Sequence, residues 1–185
     1  MGQAAEQLLM SSDEFLAWDA AQALRHEFVA GEIFAMAGGE DKHNTVAQNV
    51  MMALRAHLDG TGCRVYTSDV KLRVEAANSY FYPDVMVTCS TTDHADALVK
   101  SQAKLVVEVL SPATAAFDRG DKFAAYRLLP SLHEYLLIDT DKRRCDLYRK
   151  GADSLWVLHP VEAGEHLQLA SVALQVTAKQ LFAQL

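Results

Sequence analysis

The chain has 185 residues, 50% of them hydrophobic and 22% charged, which is enough apolar material for one self-sufficient domain over 1–185 and excludes a disordered or fibrous class. Its net charge of −7 excludes a protein that coats nucleic acid indiscriminately, because such binding depends on a basic surface that neutralises phosphates.

The first residues, Met1-Gly2-Gln3-Ala4-Ala5-Glu6, lack a basic region followed by an apolar stretch, and Glu6 stands where a myristoylation signal has Ser or Thr. No later run approaches the roughly 18 apolar residues of a membrane span. A cytoplasmic address without membrane attachment is expected. Cys63, Cys89 and Cys145 are odd in number and widely spaced, with no Cys-x-x-Cys pair. They read as unpaired small core residues in a reducing compartment, which disfavours a structural zinc site.

Ser12 followed by Asp13-Glu14-Phe15-Leu16 predicts a helix to about Ala23, with acidic residues in its dipole-favoured first turn. Arg25 to Ala37 predicts a β-hairpin turning at Gly31 and closed by Gly38-Gly39. From Asp41 to Leu58, the helical spacing of Val46, Val50, Leu54 and Leu58 predicts the strongest helix, ended by Gly60. Strands follow at Arg64–Tyr66 and Val70–Val74, and the turn Ala76-Ala77-Asn78-Ser79 returns the chain antiparallel into Tyr80–Thr88. Thr91 to Ser101 reads as helix or loop. Lys104–Leu110 is a strand, Asp118 to Leu129 a helix stopped by Pro130, and Glu134–Asp139 and Cys145–Tyr148 two further strands. Asp153–His159 and His166–Val176 predict two late strands, and Thr177 caps a last short helix. The expected fold class is α/β (α+β): a central mixed β-sheet flanked by helices, with an added N-terminal hairpin.

Two carboxylates stand out because each interrupts an apolar strand. Asp84 lies in Tyr82-Pro83-Asp84-Val85-Met86-Val87 and would share a face with Tyr82 and Met86; Glu108 lies in Leu105-Val106-Val107-Glu108-Val109-Leu110 and would share one with Val106 and Leu110. A carboxylate in a strand core needs a proton, a cationic partner or a metal. If the strands are neighbours, the pair suits a hard divalent cation, which takes one or two carboxylates and fills its shell with water. The plainer alternative is a turn-capping Asp84 and a Glu108 paired with a surface lysine.

Lys122 falls on the apolar stripe of the next helix, four residues after Asp118 and four before Tyr126. Folded back over the Glu108 strand, it could stabilise charge on a phosphorane or orient a water; otherwise it forms an Asp118–Lys122 surface pair worth about 0.3 to 0.5 kcal/mol. His43, on the apolar side of its helix, is either core packing or a general base or outer group. Glu27 and Glu32 flank the Gly31 turn as solvated charges or a further carboxylate. The cluster Lys142-Arg143-Arg144 with Arg149-Lys150 either touches phosphates or solvates a hairpin. Nucleotide-loop, serine-elbow and His-Glu-x-x-His motifs are absent.

Pro83-Asp84-Val85, Val107-Glu108-Val109-Leu110-Ser111-Pro112, Asp118-Arg119-Gly120-Asp121-Lys122 with Tyr126, and Leu132-His133-Glu134-Tyr135 together resemble the Uma family of restriction-endonuclease-like proteins in the PD-(D/E)xK nuclease superfamily. Glu27, Gly31-Glu32-Ile33, Met36 and His43 match its N-terminal pattern, so the resemblance spans nearly the whole chain. It implies a restriction-endonuclease-like core, Asp84 and Glu108 as ligands of Mg²⁺ (Mn²⁺ as an alternative), DNA as substrate, and a homodimer. The superfamily pattern places lysine two residues after the glutamate, where this chain has Leu110; the resemblance then assigns that role to Lys122. The catalytic set expected on this basis is Asp84, Glu108, Lys122 and, more weakly, His43. The competing expectations are a non-catalytic nucleic-acid-binding or regulatory module, and a hydrolase of a smaller phosphodiester.

Overall fold

A computed structural model describes residues 10–36 and 38–185; the N-terminal segment through Glu6 and the Ala37 end of the expected hairpin lie outside the described residues. In chain order the elements are α1 (Ser12–Asp19), β1 (His26–Val29), β2 (Glu32–Ala35), α2 (Asp41–Leu58), β3 (Arg64–Thr67), β4 (Lys71–Val74), β5 (Ser79–Phe81), β6 (Val85–Thr88), α3 (Thr91–Ala95), β7 (Val99–Lys100), β8 (Ala103–Val109), α4 (Ala115–Arg119), α5 (Asp121–Tyr126), β9 (Glu134–Asp139), β10 (Arg144–Lys150), β11 (Trp156–Val161), β12 (His166–Leu169), β13 (Leu174–Thr177) and α6 (Ala178–Leu181).

A six-stranded mixed sheet, ordered β11-β10-β9-β8-β6-β3, forms the centre; a five-stranded sheet, β2-β1-β5-β4-β7, and the β12-β13 hairpin accompany it. The fold class is therefore the expected mixed α/β arrangement with helices around a mixed sheet. Within the central sheet only β8 and β9 run parallel. A parallel pair needs a crossover, and α4 and α5 supply it.

Strand alternation divides the core into two layers. Val85, Val87, Leu105, Val107, Val109, Leu136 and Ile138 join Val46, Val50 and Leu54 of α2 on one face. Met86, Val106, Tyr135 and Leu137 point the other way, toward Phe123 and Tyr126 of α5. Glu108, flanked by Val107 and Val109, must share the second face with Val106, so the crossover helix covers it.

Several boundaries differ from the sequence reading, each for a local reason. Ser11, not Ser12, caps α1, through a reciprocal box with Glu14. The helix ends at Asp19 rather than near Ala23 because that carboxylate is anchored by the His26 amide at 3.2 Å, turning the chain into β1. The hairpin turn uses Ala30 and Gly31, both at positive φ (50° and 99°), the twist-matched two-residue geometry. The expected strand Tyr80–Thr88 is two strands, β5 in one sheet and β6 in the other, because Pro83 breaks the ladder at the crossing. The helix expected from Asp118 to Leu129 is split into α4 and α5 at Gly120, where an added Cβ would lie 3.2 Å from the Ala116 carbonyl. His166–Val176 is a hairpin rather than one strand, turned by Ala173 at φ 53°. Thr177 caps α6 as expected, with Gln180 completing the box.

The cysteines require a correction. Cys63 and Cys89 form a disulfide, because the register Arg64↔Thr88 between β3 and β6 brings the two flanking residues opposite each other. Only Cys145 is the buried thiol expected, and burial, with Asp146 nearby, pushes its pKa up to about 12. No helix among the described residues is long and apolar enough to cross a membrane.

Candidate active site

The β6–β8 pairing, Val85↔Val107 and Met86↔Val106, carries Asp84 to the place opposite Glu108. The contact is reciprocal. Val109 donates its amide to Asp84 Oδ2 at 2.7 Å, and the Asp84 amide donates to Glu108 Oε2 at 3.4 Å. Pro83 matters here because the chain leaves one sheet for the other at this point, so Asp84 sits just outside the ladder with its carboxylate free to turn onto β8. Glu108 is only 3% exposed.

Lys122 reaches this pair from α5. Its Nζ lies 3.0 Å from Glu108 Oε1, 3.0 Å from Glu27 Oε1 and 3.7 Å from Asp118 Oδ1. The surface-pair alternative for Lys122 is thereby removed, since the ammonium is buried among three carboxylates. The break at Gly120 turns the chain between Asp118 and Lys122 while keeping both on the inner side. The solvated-charge reading of Glu27 is also corrected. It lies on β1, accepts the Tyr82 amide at 3.0 Å and holds Lys122, whereas Glu32, at the hairpin turn, is exposed as expected.

His43 comes from the first turn of α2, the helix on the opposite face. Its Nε2 is 3.1 Å from Asp84 Oδ2. That hydrogen bond raises the imidazole pKa against the opposing effect of burial, helped by the Asp84 and Asp118 charges and the Val109 backbone. The shift favours the imidazolium form, which donates to Asp84 Oδ2. Gly39 makes this approach sterically feasible: a Cβ there would be 2.9 Å from His43 Nδ1.

The charge balance is uneven. Glu27, Asp84, Glu108 and Asp118 face one lysine and one histidine. Burial drives the Glu108 carboxyl well above its usual range; Lys122 opposes this, while Asp84, Asp118 and Glu27 add to it. Asp118 is raised for the same first reason. Burial alone would lower the Lys122 pKa, but Glu108 and Glu27, with Asp118 and Asp84, hold it well above the ordinary lysine value.

Among the described residues no group of three or more His, Cys, Asp and Glu is arranged as a ready-made metal cage. Two facing carboxylates with an uncompensated negative field nevertheless suit a hard cation that keeps most of its water. Both bonds made by the Asp84 carboxylate converge on Oδ2. These residue types suit a hard divalent cation, which Asp84 and Glu108 could hold, with Glu27 and Asp118 adding to the negative field.

Sequence reasoning missed the role of Tyr126 and all of a neighbouring network. The Tyr126 hydroxyl donates to Glu108 Oε1 at 2.9 Å; its place four residues after Lys122 was the available signal. Tyr135 donates to the Asp118 carbonyl at 2.9 Å. Beyond Tyr82, buried Asp19 binds Lys71 Nζ at 2.9 Å, His26 Nδ1 at 3.1 Å and the Tyr82 hydroxyl at 3.1 Å. No short-range pattern joins those four residues. A separate cleft of about 260 Å³ opens beside His43, lined also by Ser111, Arg119, Asp139 and Lys142.

A mixed sheet whose adjacent strands present two carboxylates, with a lysine returned by the crossover helix, defines an α/β protein of restriction-endonuclease-like class. The chain belongs to the Uma2 family, described as "Putative restriction endonuclease", whose pattern it matches over residues 12–179. It is 36% identical over 173 residues to the uncharacterized Synechocystis protein slr1290, covering 94% of this chain and 91% of that one. A second uncharacterized Synechocystis protein, sll1609, is 35% identical over 153 residues, covering 81% of this chain and 86% of that one. In fold the chain is similar to a crystal structure from Anabaena variabilis described as "a putative nuclease belonging to DUF820", with TM-score 0.79 and 16% identity over 94% of this chain and 98% of that one.

Proposed function

We propose that this protein is a Mg²⁺-dependent DNA endonuclease that hydrolyses phosphodiester bonds at the Asp84–Glu108–Lys122 site. The observation that carries the reading is the Lys122 ammonium 3.0 Å from Glu108, on the strand end where Asp84 is also held. Family membership and the nuclease-like fold support it. When bound, Mg²⁺ supplies Lewis acidity toward a phosphoryl oxygen and a more acidic water. Asp84 and Glu108 would hold the ion, with Mn²⁺ as the substitute.

The remaining chemistry belongs to the protein. Lys122 presents a permanent positive charge toward the oxygens on which negative charge develops, and Glu27 fixes its direction. Tyr126 orients the Glu108 carboxylate by donating to Oε1. His43 holds Asp84 Oδ2, which makes it a positioning residue. Dimeric action is part of this reading and is checked by sedimentation of the purified protein.

Incubation with supercoiled plasmid and Mg²⁺ or Mn²⁺ should give nicked and linear products, lost in Asp84→Ala and Lys122→Met. Equal cleavage by wild type and Asp84→Ala would sink the site. A second reading, a nucleic-acid-binding module without turnover, draws on one observation: both Glu27 and Glu108 already neutralise Lys122. Binding without cleavage in every divalent metal would select it.

A further inference from the structure

Two buried carboxylates stand in one row across the central sheet. The register sets Glu108 beside Leu137 of β9 and Leu137 beside Asp146 of β10, so all three side chains share the face that α4 and α5 cover. Glu108 is 3% exposed and Asp146 4%. Each is answered by a cation from the crossover. Lys122 of α5 lies 3.0 Å from Glu108 Oε1, and Arg119 of α4 donates Nη1 to Asp146 Oδ2. The strands that carry the two carboxylates are about 10 Å apart, two strand spacings. In an unbroken helix, residues three apart have Cβ atoms only about 5 to 6 Å apart. Gly120, at φ −110° and ψ −99°, interrupts the helix between the two cations, which leaves them free to straddle the row.

The same joint is tied to the sheet a second time, because the Tyr135 hydroxyl donates to the carbonyl of Asp118, the residue before Arg119, at 2.9 Å. Apolar packing, such as Phe123 stacked on Tyr135 at 5.1 Å, holds α5 against the sheet but is non-directional and tolerates small slides. A charge-assisted hydrogen bond does not. Asp146 does not depend on Arg119 for its charge alone, since Arg144 Nη2 donates to its other oxygen at 3.1 Å. Arg144, however, belongs to β10 itself. What Arg119 adds is the link between crossover and sheet.

We propose that Arg119 is a positioning residue for Lys122: its bond to Asp146 sets where α5 begins over the sheet and so places the ammonium between Glu108 and Glu27. The proposal rests on the nuclease reading for what Lys122 then acts on. Arg119 itself acts through three residues of backbone.

The test reads Lys122 directly. Ammonium NMR of the full chain in chelator should resolve its Nζ, because the protons of a buried, hydrogen-bonded ammonium exchange slowly; Lys71, 2.9 Å from Asp19 in the other network, is the internal reference. Arg119→Met should shift or broaden the Lys122 resonance while Lys71 stays in place. It should also lower kcat for plasmid cleavage about tenfold to a hundredfold with KM unchanged, the larger figure being the cost of a misplacement near 1 Å. Asp146→Leu breaks the same link from the other end and should do likewise, which keeps the test open if Arg119→Met melts early. The double variant should add little to either single one. Arg144→Met takes a guanidinium from the same carboxylate without touching the crossover, so the Lys122 resonance should not move.

A lowered melting temperature with the Lys122 resonance unmoved in both single variants would leave Arg119–Asp146 a stabilising pair only and overturn the proposal. A raised KM with kcat and resonance unchanged would make Arg119 a phosphate contact, which also overturns it. A displacement in Arg144→Met as large as that in Arg119→Met would trace the effect to the charge of Asp146 and overturn it as well. A wild type that cleaves no DNA strikes the nuclease reading alone, since the resonance still decides whether Arg119 places Lys122.

Discussion

Two buried carboxylates, Asp19 and Glu108, are shifted in opposite directions by what surrounds them. For both, burial alone raises the pKa. At Asp19 the bonds from Lys71 and His26, joined by Tyr82, more than offset it and hold the carboxyl below its usual range. At Glu108 the single ammonium of Lys122 does not offset burial plus three nearby carboxylates, and the carboxyl is held well above its usual range. The two networks are almost contiguous, since Tyr82 gives its hydroxyl to Asp19 and its amide to Glu27. The first is balanced and anchors the chain between α1 and the start of β6. The second carries excess negative charge, which costs stability unless a cation is taken up, and such imbalance is where chemistry is expected.

Lys122→Met should have the largest effect on stability, because it leaves Glu27, Glu108 and Asp118 buried without their shared cation. Breaking a buried pair on one side costs about 3 to 5 kcal/mol. Urea unfolding in chelator measures the loss, and added Mg²⁺ should recover part of it. Lys71→Met should cost about half as much, because Asp19 keeps the His26 amide, the imidazole and the Tyr82 phenol. Equal losses in the two variants would break the distinction between a balanced and an unbalanced cluster.

Neutralising the acids sharpens it. Asp19→Asn removes charge-assisted hydrogen bonds and should destabilise by about 1.5 to 3 kcal/mol. Glu108→Gln removes one of several crowded negative charges at similar shape, so in chelator its stability at neutral pH should match or exceed wild type while plasmid cleavage is lost. The pH dependence follows with opposite signs. Asp19, lowered, contributes stability above its usual value of 3.8 that is lost as pH falls through its folded pKa. Glu108, raised, contributes stability below its usual value of 4.5 that is lost as pH rises through its folded pKa. Thermal melts followed against pH should show Asp19→Asn flattening the loss on the acid side and Glu108→Gln flattening the loss that accompanies rising pH.

The same contrast explains what could be read in the sequence. Asp84, Glu108 and Lys122 were legible because strand period 2 and helix period 3.6 assign them to faces, and a crossover helix must return over the strand it leaves. Asp19, His26, Lys71 and Tyr82 come from α1, β1, β4 and the β5–β6 link, and only the assembled sheet order brings them together. Glu27 looked like a turn charge because nothing local reveals that Lys122, far along the chain, will reach it. The Cys63–Cys89 bond depended on strand register, which composition does not contain. Gly120 and Ala173, where expected continuous elements break, are backbone features that apolar periodicity passes over.

Tyr126→Phe should cost less, about 0.5 to 1.5 kcal/mol for one hydrogen bond, because Glu108 retains Lys122. Calorimetric melting in chelator would measure it, and a loss comparable with that of Lys122→Met would make the phenol, rather than the ammonium, the principal partner of Glu108.

The smallest stability effect is expected at Gly39, where the fold barely depends on the side chain but the site does. Gly39→Ala would place a Cβ 2.9 Å from His43 Nδ1, closer than real contacts allow, so the imidazole must tilt away. Its bond to Asp84 Oδ2 would lengthen, and the main cause of the raised His43 pKa would weaken. Stability from a raised histidine is fully present below its usual value of 6.5 and is lost as pH rises through the folded value, so Gly39→Ala should shift that loss to lower pH. Histidine NMR titration reads the shift directly, and metal-dependent cleavage should fall several-fold while the melting temperature changes little. An unchanged His43 titration would mean that the loop before α2 moves instead of the ring, leaving Asp84 to be positioned by the Val109 amide.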